Sequence, residues 1–278
     1  FTSSLTPYLT EQALAEAEER FTPVSALKVV TYMMNAIIVA WFRGELWASE
    51  NAVLGYCACH RLLLYLADCF PQLRATANSR IERFLRSADA RHKNAVPDLG
   101  CFVQSICISD YDWGDVRDLV IEECFYRSVL YVVRVHPELG AACLDPAVDS
   151  ARLQKHFETM KVSLGLMLFG VAFLQQLGKP PGRTPDEIKA WYDSHDGVVP
   201  QETTERLLRA IHTIKGIADF ADFYHQLSMP CPPPMKLVMN LIEAVRHSRE
   251  VGYHGRCQAP SSTAVQQQQQ QQPTPRER

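Results

Sequence analysis

Carboxylates crowd one short stretch of the chain: Asp110, Asp112, Asp115, Asp118, Glu122 and Glu123. Wound as a helix, Asp115, Asp118 and Glu122 share a face, where such groups can hold a divalent metal or divide acid and base work. Acidic side chains also favour the positive end of a helix dipole, which explains the cluster without any ligand. Cys57-Ala-Cys59-His60 offers soft metal ligands, but only Cys57 and His60 share a helix face. A structural zinc site needs four ligands, usually with a second close pair, and none follows at a matching spacing. The thiols read instead as small buried hydrophobes, and no metal or other cofactor is expected. Arg74, Arg80, Arg83, Arg86, Arg91 and Lys93 form the most basic stretch. Arg80, Arg83 and Arg86 line one side of a helix that could meet an acidic protein segment, a phosphoinositide or nucleic-acid phosphates. A solvated helix surface is the plainer account.

The sharpest local pattern is Ala210-Ile211-His212-Thr213-Ile214-Lys215-Gly216. It resembles the core of histidine-containing phosphotransfer domains, in which a helix carries a phosphoaccepting histidine, a lysine three positions on and a glycine four on. The resemblance covers seven residues and implies that His212 accepts a phosphoryl group, Lys215 neutralises its oxygens and Gly216 leaves room for the donor. Leu207, Ile211, Ile214, Ala218 and Ala221 make the expected buried stripe, and His212 points away from it. The residues after the glycine (Ile217, Ala218, Asp219, Phe220) are bulkier than is usual in that family. The plain alternative is a surface histidine beside a helix-weakening glycine.

The elements that must position these groups read as helices throughout. Thr22-Pro23 opens one that Gly44 stops, Ser49 to Phe70 follows, and Gln72 to Ala88 comes next. Pro97 to Ile108 is short. Asp112 caps a long helix over Trp113–Val135, where Glu123 and Arg127 form a favourable i,i+4 pair. His136 to Asp145 reads as a connection, and Pro146 to Gln176 as another long helix. Thr184-Pro185-Asp186-Glu187 is a capping box. Gln201–Leu227 and Met235–Val251 complete about nine helices in an irregular all-α fold. The organisation expected is an N-terminal helical subdomain over 1–136 and a C-terminal one over 146–252, or one continuous domain of the two, then a tail over 258–278. That tail contains Gln266 to Gln272 and is too polar to order itself.

Composition sets the outer limits. Of 278 residues, 47% are hydrophobic and 21% charged, the balance of a globular chain. With 28 Lys+Arg against 31 Asp+Glu the net charge is −3, which argues against binding dominated by nucleic acid. The 13 glycines are few, and no phosphate loop, dinucleotide fingerprint, H-E-x-x-H or G-x-S-x-G motif occurs. Nine cysteines, an odd number scattered through apolar helices, suit a reducing cytoplasmic or nuclear setting. A chain that starts at Phe1 without a secretory signal reads as a piece of a longer protein. The apolar runs Val29–Phe42 and Val162–Leu174 are shorter than the ~18–20 residues of a membrane span, so no span is expected. The reading that follows is a non-enzymatic helical interaction or scaffold region with an unknown protein partner. Its competitors are a phosphotransfer module using His212 and a metal-dependent enzyme using Asp115, Asp118 and Glu122.

Overall fold

A computed structural model describes residues 22–142 and 150–253; the expected disordered tail lies outside them. Among the described residues every regular element is a helix and there is no strand. The first is α1 (Pro23–Arg43), where the Thr22 hydroxyl accepts the Ser25 N–H at 3.3 Å and Pro23 needs no amide partner. Gly44 ends it at φ 78°, a left-handed conformation that glycine adopts without strain. Ser49 caps α2 (Glu50–Cys69), and Pro71 starts α3 (Pro71–Arg86). The one-turn α4 (Ala88–Arg91) leads to α5 (Leu99–Ser105), which tightens into a 3₁₀ turn over Ile106–Ile108. Asp112 and Asp115 form a reciprocal capping box at the start of α6 (Trp113–Val135).

The second half holds α7 (Pro137–Ala142) and α8 (Ser150–Phe173), which runs on as a π turn over Leu174–Gly178. Then come α9 (Pro185–Asp193), α10 (Gln201–Gly216), α11 (Phe220–Gln226) and α12 (Pro234–Glu250). Two expectations from the sequence need correction. The connection over 136–145 contains the short α7. The single helix expected over Gln201–Leu227 breaks after Gly216, where Ile217 turns extended at ψ 139°. Asp219 causes the break: its carboxylate caps the Asp222 N–H at 2.9 Å, while Asp222 accepts the Ala218 N–H at 2.7 Å. Ile217 and Phe220 therefore enter the core, and Ala218 and Ala221 are exposed.

The helix with the most buried residues is α8, which packs against α1, α5, α6, α10 and α11. Phe157, Leu164, Phe169 and Phe173 are all inaccessible, and Trp41 and Tyr56 close on Phe169 at ring separations of 5.3 and 5.6 Å. Gly165 is required by this packing, since a Cβ there would lie 2.8 Å from the Phe42 ring. Helices from both sides of the 136–146 connection line one apolar cluster. The apolar runs noted in the sequence belong to longer elements. By length and composition three could cross a membrane: α1 (21 residues), α2 (20) and α8 with its π turn (29).

Two buried cations tie the helices together. Arg127 of α6 meets Glu123 at 2.8 Å and donates to the Val96 and Arg91 carbonyls at 2.7 and 2.6 Å. The Tyr253 hydroxyl, just past α12, donates to the same Glu123 carboxylate. Lys179 follows the π turn and donates to the Ser109 and Tyr111 carbonyls, both at 2.7 Å, with Asp112 at 3.2 Å. Truncating one member of a buried ion pair leaves the other unpaired, at a cost of about 3–5 kcal/mol. Arg127→Met is therefore expected to lower the urea unfolding midpoint far more than Arg86→Met, whose partner Glu82 and own side chain face solvent.

Candidate functional site

The helices α1, α5, α6 and α8 leave a cleft of about 230 Å³ between them. The approach of α5 to α1 is set by Asp98. One carboxylate oxygen accepts the Cys101 N–H at 3.0 Å, capping α5, and the other accepts Asn35 Nδ2 at 2.9 Å. Gly100 makes that approach feasible, because a Cβ there would fall 2.0 Å from the Asn35 amide oxygen. Ile38, Val103, Leu166 and Met167 supply apolar walls. Gly170 lets α8 pack closely on α5, since a Cβ there would sit 3.3 Å from Val103 Cγ1.

Gln104 lines this cleft and is fully buried, yet neither Nε2 nor Oε1 has a hydrogen-bond partner. Tyr56 lies close enough for the amide to ease its ionisation, but the pair makes no hydrogen bond of normal geometry. At the rim, Arg127 has its guanidinium committed as described, and the Lys93 ammonium stands 5.5 Å from the centre of the Tyr253 ring. Burial and then the neighbouring Arg127 lower the Lys93 pKa. Cys124 also faces the cleft, and burial pushes its thiol up to about 11, so it stays protonated and weakly nucleophilic.

A polar seam continues behind Gln104 into the core. The Trp41 indole N–H and the Tyr56 hydroxyl are buried without a partner. His60 Nδ1 lies 3.0 Å from the Tyr192 hydroxyl, and burial drives its pKa down to about 3, with the Gly178 backbone offsetting part of that shift. Burial raises the Cys57 and Cys107 thiols to about 12. These groups are neutral at pH 7, as a dry interior requires. Of the Cys57-Ala-Cys59-His60 segment, Cys57 and His60 are inside and Cys59 is partly exposed.

The residues singled out in the sequence are dispersed. Asp115 is occupied by the Asp112 N–H at 2.7 Å, Asp118 lies 3.3 Å from Arg117, and Glu122 accepts the Tyr126 hydroxyl at 2.7 Å. Among the described residues no three His, Cys, Asp or Glu side chains are arranged to hold a metal ion. In the basic stretch Arg74 pairs with Asp186 at 2.8 Å, Arg86 with Glu82 at 2.5 Å, and Arg91 donates to the Phe84 carbonyl at 3.0 Å. Arg80 is half-buried and Arg83 exposed on α3. His212, Lys215 and Gly216 are all exposed near the end of α10. Gln104 was missed by the sequence reading, because an amide amid Phe102, Val103 and Ile106 carries no motif; its one signal is a polar side chain inside an apolar run.

His60 gives the fold a pH dependence of known sign. Its folded pKa lies below the unfolded value, so stability is full above about pH 6.5 and is lost as pH falls toward 3, at ~1.4 kcal/mol per pH unit per proton. Burial lowers the His156 pKa too, adding in the same direction. Urea midpoints compared at pH 7 and pH 5 should fall for wild type and fall less for His60→Gln.

No family model, no curated protein and no solved structure matches this chain, so its functional reading rests on these side chains.

Proposed function

We propose that this chain is a helical interaction module that binds a protein partner through the outer faces of α1 and α2. The observation that carries the reading is an apolar surface left uncovered on two consecutive, mutually packed helices. On α1, Val29, Tyr32 and Met33 face outward, with Tyr32 65% exposed; on α2, Leu62 and Tyr65 do the same, with Tyr65 56% exposed. Trp47, in the turn joining them, is 80% exposed. Tryptophan, tyrosine and methionine are the side chains enriched at interface centres, and such patches are uncommon on surfaces that meet only water.

We read α1, α2 and α8 as docking and core helices rather than membrane spans. For α8, 61% of its most apolar stretch is already buried against protein. The outward side of α2 carries Arg61, 3.7 Å from Asp193, and Asp68, 3.4 Å from Lys189, charges that suit water better than hydrocarbon. The seven unpaired cysteines among the described residues support a reducing, cytoplasmic or nuclear setting. The absence of a metal-holding cluster among the described residues gives the Asp115, Asp118 and Glu122 enzyme reading no further support.

A second reading keeps His212 as a phosphoacceptor, favoured by one observation. A Cβ at Gly216 would meet nothing within 4 Å, and the bulky Ile217 and Phe220 turn inward, so a donor can approach. Incubation with a phosphorylated receiver domain should then give alkali-stable label that His212→Gln abolishes; unlabelled wild type ends this reading.

The main proposal is tested by placing a photo-crosslinking residue at Tyr32 or Tyr65 of the full chain in cells. A discrete protein adduct from both positions, lost when Val29→Asp is added while the unfolding midpoint is unchanged, is the expected result. Adducts to lipid, or flotation with phosphatidylcholine vesicles, would replace the protein partner with a membrane.

A further inference from the structure

At the cleft between α1, α5, α6 and α8 we infer a binding site for a small monocarboxylate with an apolar body, its head received by Lys93. Lys93 borders the cleft and is only partly covered, so a molecule lodged there can touch it. Its ammonium makes no ion pair or hydrogen bond among the described residues; what it meets is the Tyr253 ring, 5.5 Å from the centroid. A cation drawn partly out of water with no carboxylate in ion-pair reach lacks a counter-ion. Burial and the nearby Arg127 lower its pKa accordingly, and Glu123 offsets only part of that. A bound carboxylate supplies the missing charge through a charge-assisted hydrogen bond.

The other charges of the lining are already matched. Arg127 is held by Glu123 and two carbonyls, while Asp98 accepts the Cys101 N–H with one oxygen and Asn35 Nδ2 with the other. Lys93 is therefore the cation of this lining that an anion can reach, and one ammonium suits one negative charge better than a phosphate dianion. Beyond the head, Ile38, Val103, Leu166 and Met167 present hydrocarbon to the ligand body. The volume of about 230 Å³ exceeds the roughly 150 Å³ of an apolar cavity that accepts benzene, so an aryl or short acyl group fits.

The probe is 4-fluorobenzoate, followed by ¹⁹F NMR on the whole chain. Its comparators are 4-fluorobenzyl alcohol (body without charge), trifluoroacetate (charge without body) and 4-fluorophenyl phosphate. Wild type should broaden the benzoate signal at sub-millimolar probe, and excess unlabelled benzoate should restore it. Lys93→Gln removes the charge from a side chain that is not part of the core, and it should weaken benzoate binding about tenfold or more. Ser163→Trp places an indole at the exposed mouth and should weaken binding equally, which keeps the test valid if Lys93→Gln fails to fold. Absence of benzoate binding to wild type at millimolar probe overturns the site, and so does unchanged binding in Ser163→Trp. Equal binding of the alcohol, or unchanged benzoate binding in Lys93→Gln, overturns the role of Lys93. Equal binding of trifluoroacetate overturns the apolar body, and tighter binding of the phosphate overturns the monocarboxylate assignment.

Discussion

Burial of α8 is the constraint from which the rest of the architecture follows. Its sequence from Val162 to Leu174 is apolar nearly all round, and a helix of that kind has no face to give to water. Five other helices cover it, and their own amphipathic stripes decide where each can lie. Covering most of a helix removes its hydrocarbon from water, but it also forces the covering helices to meet one another at angles that leave gaps. The cleft lined by α1, α5, α6 and α8 is one such gap, beside the close approaches that Gly100 makes to Asn35 and Gly170 to Val103.

Polar contacts then select one arrangement among the many that would bury α8. Hydrophobic burial is non-directional, so it tolerates sliding and rotation. Arg127 does not, because its guanidinium must reach Glu123 and two specific carbonyls of the segment before α5 at once. Lys179 performs the corresponding role at the other end of α8, joining it to the turn ahead of α6. Both cations have buried side chains that meet at least three oxygen partners each, the condition under which such groups are tolerated inside a protein.

Helix identity was legible wherever the chain carries its own punctuation. Thr22-Pro23, Gly44, Pro71 and the Thr184 box each act within one turn of backbone, and the structure begins and ends helices at those positions. The break at Ile217 was hidden because Gly216 alone weakens a helix without ending it; Asp219 and Asp222 had to be read together as a second start. The short α4 and α7 escaped for a related reason, since one or two turns carry no period to detect. Candidate sites were harder still. On α6, whether Asp115 is available depends on a hydrogen bond to Asp112 that spacing shows only as one option. Gln104 was invisible, because what distinguishes it is the lack of a partner among helices distant in sequence.

That lack is difficult to attribute to stability. Methionine would fill nearly the same volume at position 104 with no polar atoms to satisfy, and volume-conserving swaps of this kind are well tolerated in cores. The buried Trp41 and Tyr56 polar atoms differ, since each belongs to a ring whose apolar body supplies most of its packing: Trp41 and Tyr56 both close on Phe169. Gln104 brings no such ring. Its amide is the larger part of what the side chain contributes, and it sits fully buried. A residue so placed gives the fold less than an apolar one would.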